Sequence, residues 1–217
     1  MSDLYLCLDT STPTARVAVL DGAGQTRFAA EATADRHAGH LLPLCAEALR
    51  AAGTTVAELA GIACGGGPGS FTGLRVGLAA AKGLALPTGV PLYVVSSLEA
   101  LALDILQAAP PGVGTAIPCL DAGKGEVYVA GYVADPERLV RETVVSARLT
   151  PSALGAWLTP LPSPVLAGNG VARHRAALGT VAIAEIAGPT AISVGRLALL
   201  QRARGEAADM ASVVPFY

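Results

Sequence analysis

The sequence lacks the features that mark secreted, membrane or metal-binding proteins. Its four cysteines lie far apart, and no CxxC pair suggests zinc or redox chemistry. The longest uncharged apolar-rich run, residues 83–98, is interrupted by two prolines and a glycine, and no basic-then-apolar leader opens the chain. These absences predict a soluble, cytoplasmic protein in a reducing compartment, with the cysteines as small core residues.

An excess of basic charge is also missing. The 15 Lys and Arg residues stand against 17 Asp and Glu residues, which gives a net charge of −2. We therefore expect no surface that grips nucleic acid unaided. What the sequence does have is 217 residues of which 52% are apolar, enough for one large domain or two small lobes with a substantial core.

The apolar pattern predicts one order of elements twice, βββαβαβα. In the first half we expect strands at 4–8, 15–20, about 25–32, 59–64 and 92–95, and helices at 37–52, 71–85 and 96–108. In the second half we expect strands at 116–120, 126–133, 140–148, 165–167 and 181–184, and helices at 151–158, 171–178 and 190–204. The Pro- and Gly-rich residues 110–114 read as a connection. The pattern therefore predicts a duplicated two-lobed α/β protein, with an N-terminal lobe at 1–109 and a smaller C-terminal lobe at 115–217.

Between the fourth strand and the second helix lies a glycine-rich stretch, residues 65–70, after which Ser70 can cap the helix. Such a loop is a general anion seat at a helix N-terminus. It lacks the Lys-Ser/Thr ending of a P-loop, and Thr72 stands where a dinucleotide fingerprint needs its third glycine. Neither standard nucleotide motif is met.

The helix after this loop carries small residues at a spacing of four: Gly73, Gly77 and Ala81. Glycine inside a helix costs roughly 1 kcal/mol relative to alanine, so another backbone must come close to that face. One interpretation is tight packing on the helix's own sheet. The other is a face presented to a partner's helix. Arg75 and Lys82, seven apart, share a face and could meet a partner's acids or a phosphate, or could be solvated.

Three motifs in order resemble a known family: Asp9-Thr10-Ser11-Thr12, the run Gly67-Pro68-Gly69-Ser70-Phe71-Thr72-Gly73-Leu74-Arg75, and Asp121-Ala122-Gly123-Lys124-Gly125-Glu126. A strand that ends in Asp before a hairpin, in each of two lobes, is similar to the actin, Hsp70 and sugar kinase superfamily. The three motifs together resemble the TsaB family, the glycoprotease-like partner subunits that help to make threonylcarbamoyladenosine in transfer RNA.

The resemblance implies a non-catalytic scaffold. The chemistry, with ATP and a metal, would belong to a TsaD-type paralogue, and this chain would bind no cofactor alone. A TsaE-type ATPase would be a further partner, tRNA would be met only through the complex, no membrane would be involved, and the lone chain would form a homodimer. The residues expected at the partner surface are Leu41, Leu44, Ala48, Phe71, Thr72, Gly73, Leu74, Arg75, Gly77, Leu78, Ala81 and Lys82.

A small phosphotransferase of the sugar kinase fold is the alternative. Asp9, Ser11 and Thr12 could hold hydrated Mg²⁺ and phosphate, or could close a hairpin. Asp121 lacks a following hydroxyl, which favours the hairpin interpretation. The loop containing Gly168 and Gly170 resembles an adenosine-side loop but alone is a turn. Together these residues are a possible vestigial nucleotide site.

Two further sites are not expected. His37 and His40 are three apart with no acidic ligand nearby, so we interpret them as surface residues and predict no metal site. A protease is not expected either, because the sequence has no HExxH motif and no evident set of Ser, His and Asp.

Overall fold

The computed structural model describes residues 3–33, 37–109, 112–178 and 181–216. The first half contains β1 (Leu4–Asp9), β2 (Thr14–Asp21), β3 (Thr26–Thr33), α1 (His37–Ala51), β4 (Gly61–Gly67), α2 (Phe71–Ala85), β5 (Leu92–Ser96) and α3 (Ser97–Ala108). The second half contains β6 (Thr115–Gly123), β7 (Glu126–Asp135), β8 (Leu139–Leu149), α4 (Pro151–Leu158), β9 (Pro164–Ala167), α5 (Asn169–His174), β10 (Ala182–Ile183) and α6 (Ala191–Ala203). The predicted order βββαβαβα is confirmed in both halves.

Each half forms one five-stranded mixed sheet. The first has the order β3-β2-β1-β4-β5, and the second has the order β10-β9-β6-β7-β8. In the first sheet β1 to β3 form an antiparallel meander, and β4 and β5 add in parallel. The second sheet pairs in the same way, with β6 to β8 as the meander and β9 and β10 parallel to β6. The two sheets are therefore copies of one topology, as the repeat predicted.

Helices cover both faces of each sheet, which makes five layers. The apolar faces of α1 and α2 form one core with the outer face of the first sheet, and α4 and α5 form another with the outer face of the second. Between the sheets lies a third core that contains residues of α3 and α6. This layering explains why β1 and β2 are apolar almost throughout and do not alternate.

The two middle helices pack across the halves. The last helix, α6, contacts β1, β2, β4 and β5 of the first sheet, while α3 contacts β6 and β7 of the second. Asp104 on α3 fixes the start of α6, accepting hydrogen bonds from the Thr190 amide (2.7 Å) and the Ser193 hydroxyl (2.6 Å). Each of the ranges 1–109 and 115–217 holds one sheet, and their independence as domains stays a prediction.

Two local expectations need correction. The fourth strand does not stop at Cys64 but runs on to Gly67, because segments of the same chain approach the glycines closely. The helix expected at 171–178 ends at His174 and continues as a 3₁₀ turn, Arg175–Ala177.

The expectation for the cysteines agrees with the structure. All four cysteines are free and buried, as small core residues. In the part of the chain that the structure describes, none of the helices has the length and apolar character to cross a bilayer.

Candidate functional site

The small-residue face of α2 is turned into the protein. A Cβ added at Gly73 would collide with the backbone oxygen of Thr10, and one added at Gly77 would collide with the Thr10 hydroxyl. That hydroxyl donates a 2.8 Å hydrogen bond to the Gly73 carbonyl oxygen, and Gly73, Gly77 and Ala81 are all buried. Placing these three residues on a surface open to a partner is therefore wrong. The other interpretation, close packing within the same lobe, is confirmed.

Most other residues expected at the partner surface are buried as well. They are Leu41, Leu44 and Ala48 on α1, and Leu74 and Leu78 on α2. These side chains stabilise the two helices from inside the lobe. Only Leu41 also lines the groove described next, and the other four do not form an open surface. Phe71, Thr72 and Arg75 are exposed, and Lys82 is partly exposed.

The outward side of the helix pair is an apolar groove of about 490 Å³, here called the α1–α2 groove. It is lined by Leu41, Leu42, Val76, Ala79, Ala80, Gly83 and Leu84. Leu42 is 50% exposed, and a Cβ at Gly83 would meet no atom within 4 Å. Val76, Ala80 and Gly83 follow the helical spacing of four and three, so this stripe could have been found in the sequence. This stripe was missed in the sequence because the spacing of Gly73, Gly77 and Ala81 is more regular.

The two basic residues of α2 have partners in the chain. The guanidinium of Arg75 lies 3.8 Å from the centroid of the Phe71 ring, a cation–π contact beside the first turn. The Lys82 ammonium donates a 2.7 Å hydrogen bond to the carbonyl oxygen of Val213. Lys82 therefore ties α2 to the segment that follows α6.

The glycine-rich loop is filled by the protein's own chain. A Cβ at Gly66 would lie 2.9 Å from the Phe216 ring, and one at Gly67 would collide with the Phe216 carbonyl oxygen. The Phe216 amide donates a 2.7 Å hydrogen bond to the Gly66 carbonyl. A Cβ at Gly69 would likewise collide with the Ser11 carbonyl oxygen. The close approach that requires these glycines is thus made by protein segments. Ser70 does cap α2, accepting from the Gly73 amide at 3.2 Å.

Asp9 closes the hairpin between β1 and β2 from a fully buried position. One carboxylate oxygen accepts from the amide (2.9 Å) and hydroxyl (2.7 Å) of Ser11, and the other accepts from the Ser97 hydroxyl at 3.1 Å. Burial raises the pKa of the Asp9 carboxyl, and these hydrogen bonds oppose the rise. The Thr12 hydroxyl accepts from Arg16 at 3.0 Å. The contacts are those of the hairpin interpretation.

The corresponding aspartate of the second lobe is also engaged. Asp121 accepts from the Gly123 amide at 3.1 Å and from the Arg173 guanidinium at 2.7 Å. Added Cβ atoms at Gly168 and Gly170 would press on the Cys119 carbonyl oxygen. These two glycines therefore serve packing on β6, and their assignment to a vestigial nucleotide loop has no support in the contacts.

A cleft of about 690 Å³ separates the two hairpins. Its lining includes Ser11, Ser70 and Phe71 of the first half, and Asp121, Lys124 and Arg148 of the second. Asp9 is absent from the lining because it is buried behind Ser11. A clamp of two carboxylates for a metal-bound phosphate is therefore not formed by the residues that the structure describes.

The described residues contain no group of three or more His, Cys, Asp or Glu side chains that could hold a metal ion. His40 is exposed, as expected for a surface residue. The side chain of His37 lies outside the described part, so its expected exposure stays a prediction.

With this geometry established, three comparisons place the chain among known proteins. The family model for TsaD, tRNA N6-adenosine threonylcarbamoyltransferase, matches residues 28–149. TsaB of Escherichia coli K12 is 32% identical over 163 residues, which cover 71% of this chain and 69% of the relative. TsaB of Bacillus subtilis is 33% identical over 168 residues, with 74% and 69% covered.

Among solved structures, YeaZ from Pseudomonas aeruginosa matches over 99% of both chains with a TM-score of 0.84 and 29% identity. The activator of the 2-hydroxyisocaproyl-CoA dehydratase from Clostridium difficile matches at a TM-score of 0.51 and 10% identity, which bears on the fold alone. Two lobes of one sheet topology define a duplicated, two-lobed α/β protein. The chain belongs to the TsaB family, within the wider set of sequences that the TsaD family model matches.

Proposed function

We propose that this chain acts in the biosynthesis of threonylcarbamoyladenosine on tRNA as a non-catalytic subunit that docks a TsaD-type paralogue. The names of the E. coli and B. subtilis relatives, both tRNA threonylcarbamoyladenosine biosynthesis proteins, support the pathway. The α1–α2 groove is the observation that supports docking. ATP and a metal would bind the catalytic partner, a TsaE-type ATPase would join the complex, and tRNA would be met only through it.

The groove suits a helix of a partner protein. Its α2 side presents Val76, Ala79, Ala80 and Gly83, whose short side chains allow a second backbone to approach closely. Leu42 on the α1 side supplies an exposed apolar wall. An apolar groove between two parallel ridges is the shape that an amphipathic helix fills. Phe71 and Arg75 at the start of α2 would extend the contact.

The absence of catalysis by the lone chain is supported by how its polar groups are used. Asp9 is buried and hydrogen-bonded, and Asp121 is held by Arg173. Without a free carboxylate pair or a metal cluster in the described residues, neither water activation nor phosphate transfer has a complete set of groups.

The docking proposal is tested with the paralogue from the same genome. We expect Ala79→Arg and Gly83→Arg each to weaken binding at least about a hundredfold, roughly 2.7 kcal/mol, because a long charged side chain fills the groove. Isothermal titration calorimetry measures the affinity. Ala203→Arg, on the exposed end of α6, is the matched control and should leave affinity unchanged. Wild-type affinity in both groove variants, with folding intact, would overturn the docking surface.

The groove would be covered by a second copy of the chain when the paralogue is absent. Light scattering should then report a dimer for the wild type and a monomer for Ala79→Arg. A dimer that persists in this variant would place the contact elsewhere.

The 690 Å³ cleft keeps one alternative open, a small phosphotransferase, since Lys124 and Arg148 line it. An ATP hydrolysis assay distinguishes the two functions. The scaffold proposal expects no turnover by the lone chain and activity only when the paralogue is added. Turnover by the lone chain that Lys124→Ala abolishes would favour the phosphotransferase.

A further inference from the structure

A second cleft lies between the two halves, beside the middle helices α3 and α6. It shares no lining residue with the α1–α2 groove. This α3–α6 cleft has a volume of about 580 Å³. It is lined by charged residues of both signs (Glu99, Arg138, Arg141, Glu142, Arg204 and Glu206) and by an aliphatic wall that includes Leu98, Val140, Leu197 and Leu200. None of these residues belongs to the docking groove, so a role for this cleft is independent of the proposed function.

The Glu99 carboxylate lacks the hydrogen bond that its position at the start of α3 predicts, which leaves it available to a ligand. Glu99 stands three residues after the N-cap Ser96, where a glutamate normally accepts from the N-cap amide and completes a capping box. Thr55 and Glu58 form that bond here, at 2.9 Å. At α3 only the other half is formed: the Glu99 amide donates to the Ser96 hydroxyl at 3.3 Å. Among described residues, the half-buried Glu99 carboxylate has no hydrogen bond or ion pair.

A second acceptor without a donor lies nearby. Gln201 on α6 lines the cleft, and its amide nitrogen is held by a 3.0 Å hydrogen bond to the Val94 carbonyl. This bond fixes the orientation of the amide. The oxygen, Oε1, is buried and has no hydrogen-bond donor in the described protein. Such a group costs stability unless something else supplies a proton to it.

Two arginine side chains line the same cleft as these acceptors. Arg138, in the β7–β8 connection, and Arg204, just after α6, are exposed, and their side chains form no ion pair within the described residues. Burial raises the pKa of Glu99 and the Glu142 carboxylate adds to the rise, while Arg204 and Arg138 lower it. The two arginines are therefore within electrostatic range of Glu99 without contacting it.

We propose that the α3–α6 cleft binds a small zwitterion, a free α-amino acid with an uncharged aliphatic side chain. The ammonium group would donate to the Glu99 carboxylate and to Gln201 Oε1, and the carboxylate would accept from Arg138 and Arg204. The aliphatic wall would hold the side chain. Ligands of one charge sign are disfavoured, because three arginines repel a cation and three glutamates repel an anion.

Calorimetry on the full chain with L-leucine tests this directly, with 4-methylpentanoate and 3-methylbutylamine as analogues that lack the ammonium or the carboxylate. We expect saturable binding of leucine and at least about tenfold weaker binding of either analogue, since each loses one charged contact. We expect a dissociation constant of about 1 mM or lower, so leucine at about 10 mM should nearly saturate the site. An absence of saturation at this concentration would overturn the proposal. Equal binding of one analogue would overturn it too, because one charge would then suffice.

Variants locate the site. Glu99→Gln keeps the shape of the side chain and should weaken leucine binding at least about tenfold, whereas Glu137→Gln, an exposed change outside the cleft, should not. Arg138→Gln is the second test, because its side chain is exposed and the variant should fold. Arg50→Gln, exposed at the end of α1, is its control. Unchanged affinity in Arg138→Gln and Glu99→Gln would place any leucine binding outside this cleft.

Discussion

Gly77 of α2 and Thr10 of the first hairpin touch so closely that no side chain fits between them. A Cβ at Gly77 would collide with the Thr10 hydroxyl, which cannot swing away without losing its 2.8 Å hydrogen bond to the Gly73 carbonyl. We therefore expect Gly77→Ala to lower the free energy of unfolding of the lone chain by about 1–3 kcal/mol, and Gly77→Leu to lower it more. Urea denaturation measures both. An unchanged urea midpoint would show that the hairpin containing Thr10 can move to make room for the side chain.

Gly83 gives the opposite expectation on the same helix. Its Cβ position is open, and it faces outward in the α1–α2 groove. Gly83→Ala should raise the free energy of unfolding by up to about 1 kcal/mol, because alanine restricts the unfolded chain and favours helix. A loss of stability would mean that the helix is not exposed at this residue.

This pair of glycines marks the limit of what the sequence could predict. The spacing of Gly73, Gly77 and Ala81 correctly indicated a face that another backbone approaches. It could not indicate which backbone, because the side that a helix turns toward its sheet depends on packing far away in sequence. Thr10 lies 63 residues from Gly73.

The order of strands and helices was predictable for the opposite reason. The apolar runs, the Ser70 cap and the glycine-rich turns are local signals. They predicted nearly every element to within a few residues. The segment after α6 carries no periodic signal. Its contact with the glycine loop through Phe216 could not be predicted from the sequence.

Asp9 should prove structural and not catalytic. Asp9→Ala would leave the Ser11 amide and hydroxyl and the Ser97 hydroxyl without their acceptor in a buried site. We expect a loss of about 3 kcal/mol in the free energy of unfolding. Asp9→Asn should cost less, about 1 kcal/mol, because the amide keeps an acceptor and removes a charge whose burial is unfavourable. Equal losses in the two variants would contradict this assignment of the hydrogen bonds.

Asp21 should make stability depend on pH at the acid end. The amides of Gln25 and Ala23, together with the Arg27 guanidinium, lower the pKa of its carboxyl. A pKa lowered by folding stabilises the folded state above the ordinary aspartate pKa of about 4, and this stabilisation is lost as pH falls through the folded-state pKa. Asp21→Asn should therefore lower the melting temperature at neutral pH, with the difference shrinking in acid. Glu47→Gln, exposed on α1, controls for the change in net charge.

Lys82 should hold the segment that follows α6. Its ammonium group donates to the Val213 carbonyl at 2.7 Å, and three residues further on the Phe216 amide donates to Gly66. Lys82→Met keeps the length and apolar stem of the side chain but removes the donor, so the Val213 carbonyl loses its partner. We expect faster hydrogen exchange at the Phe216 amide, with exchange in the β1 core unchanged, because only the end of the chain is released. If Lys82 served only a partner's acidic groups, exchange at Phe216 in the lone chain would stay as in the wild type. Measuring the lone chain and the complex with the paralogue separates these two roles.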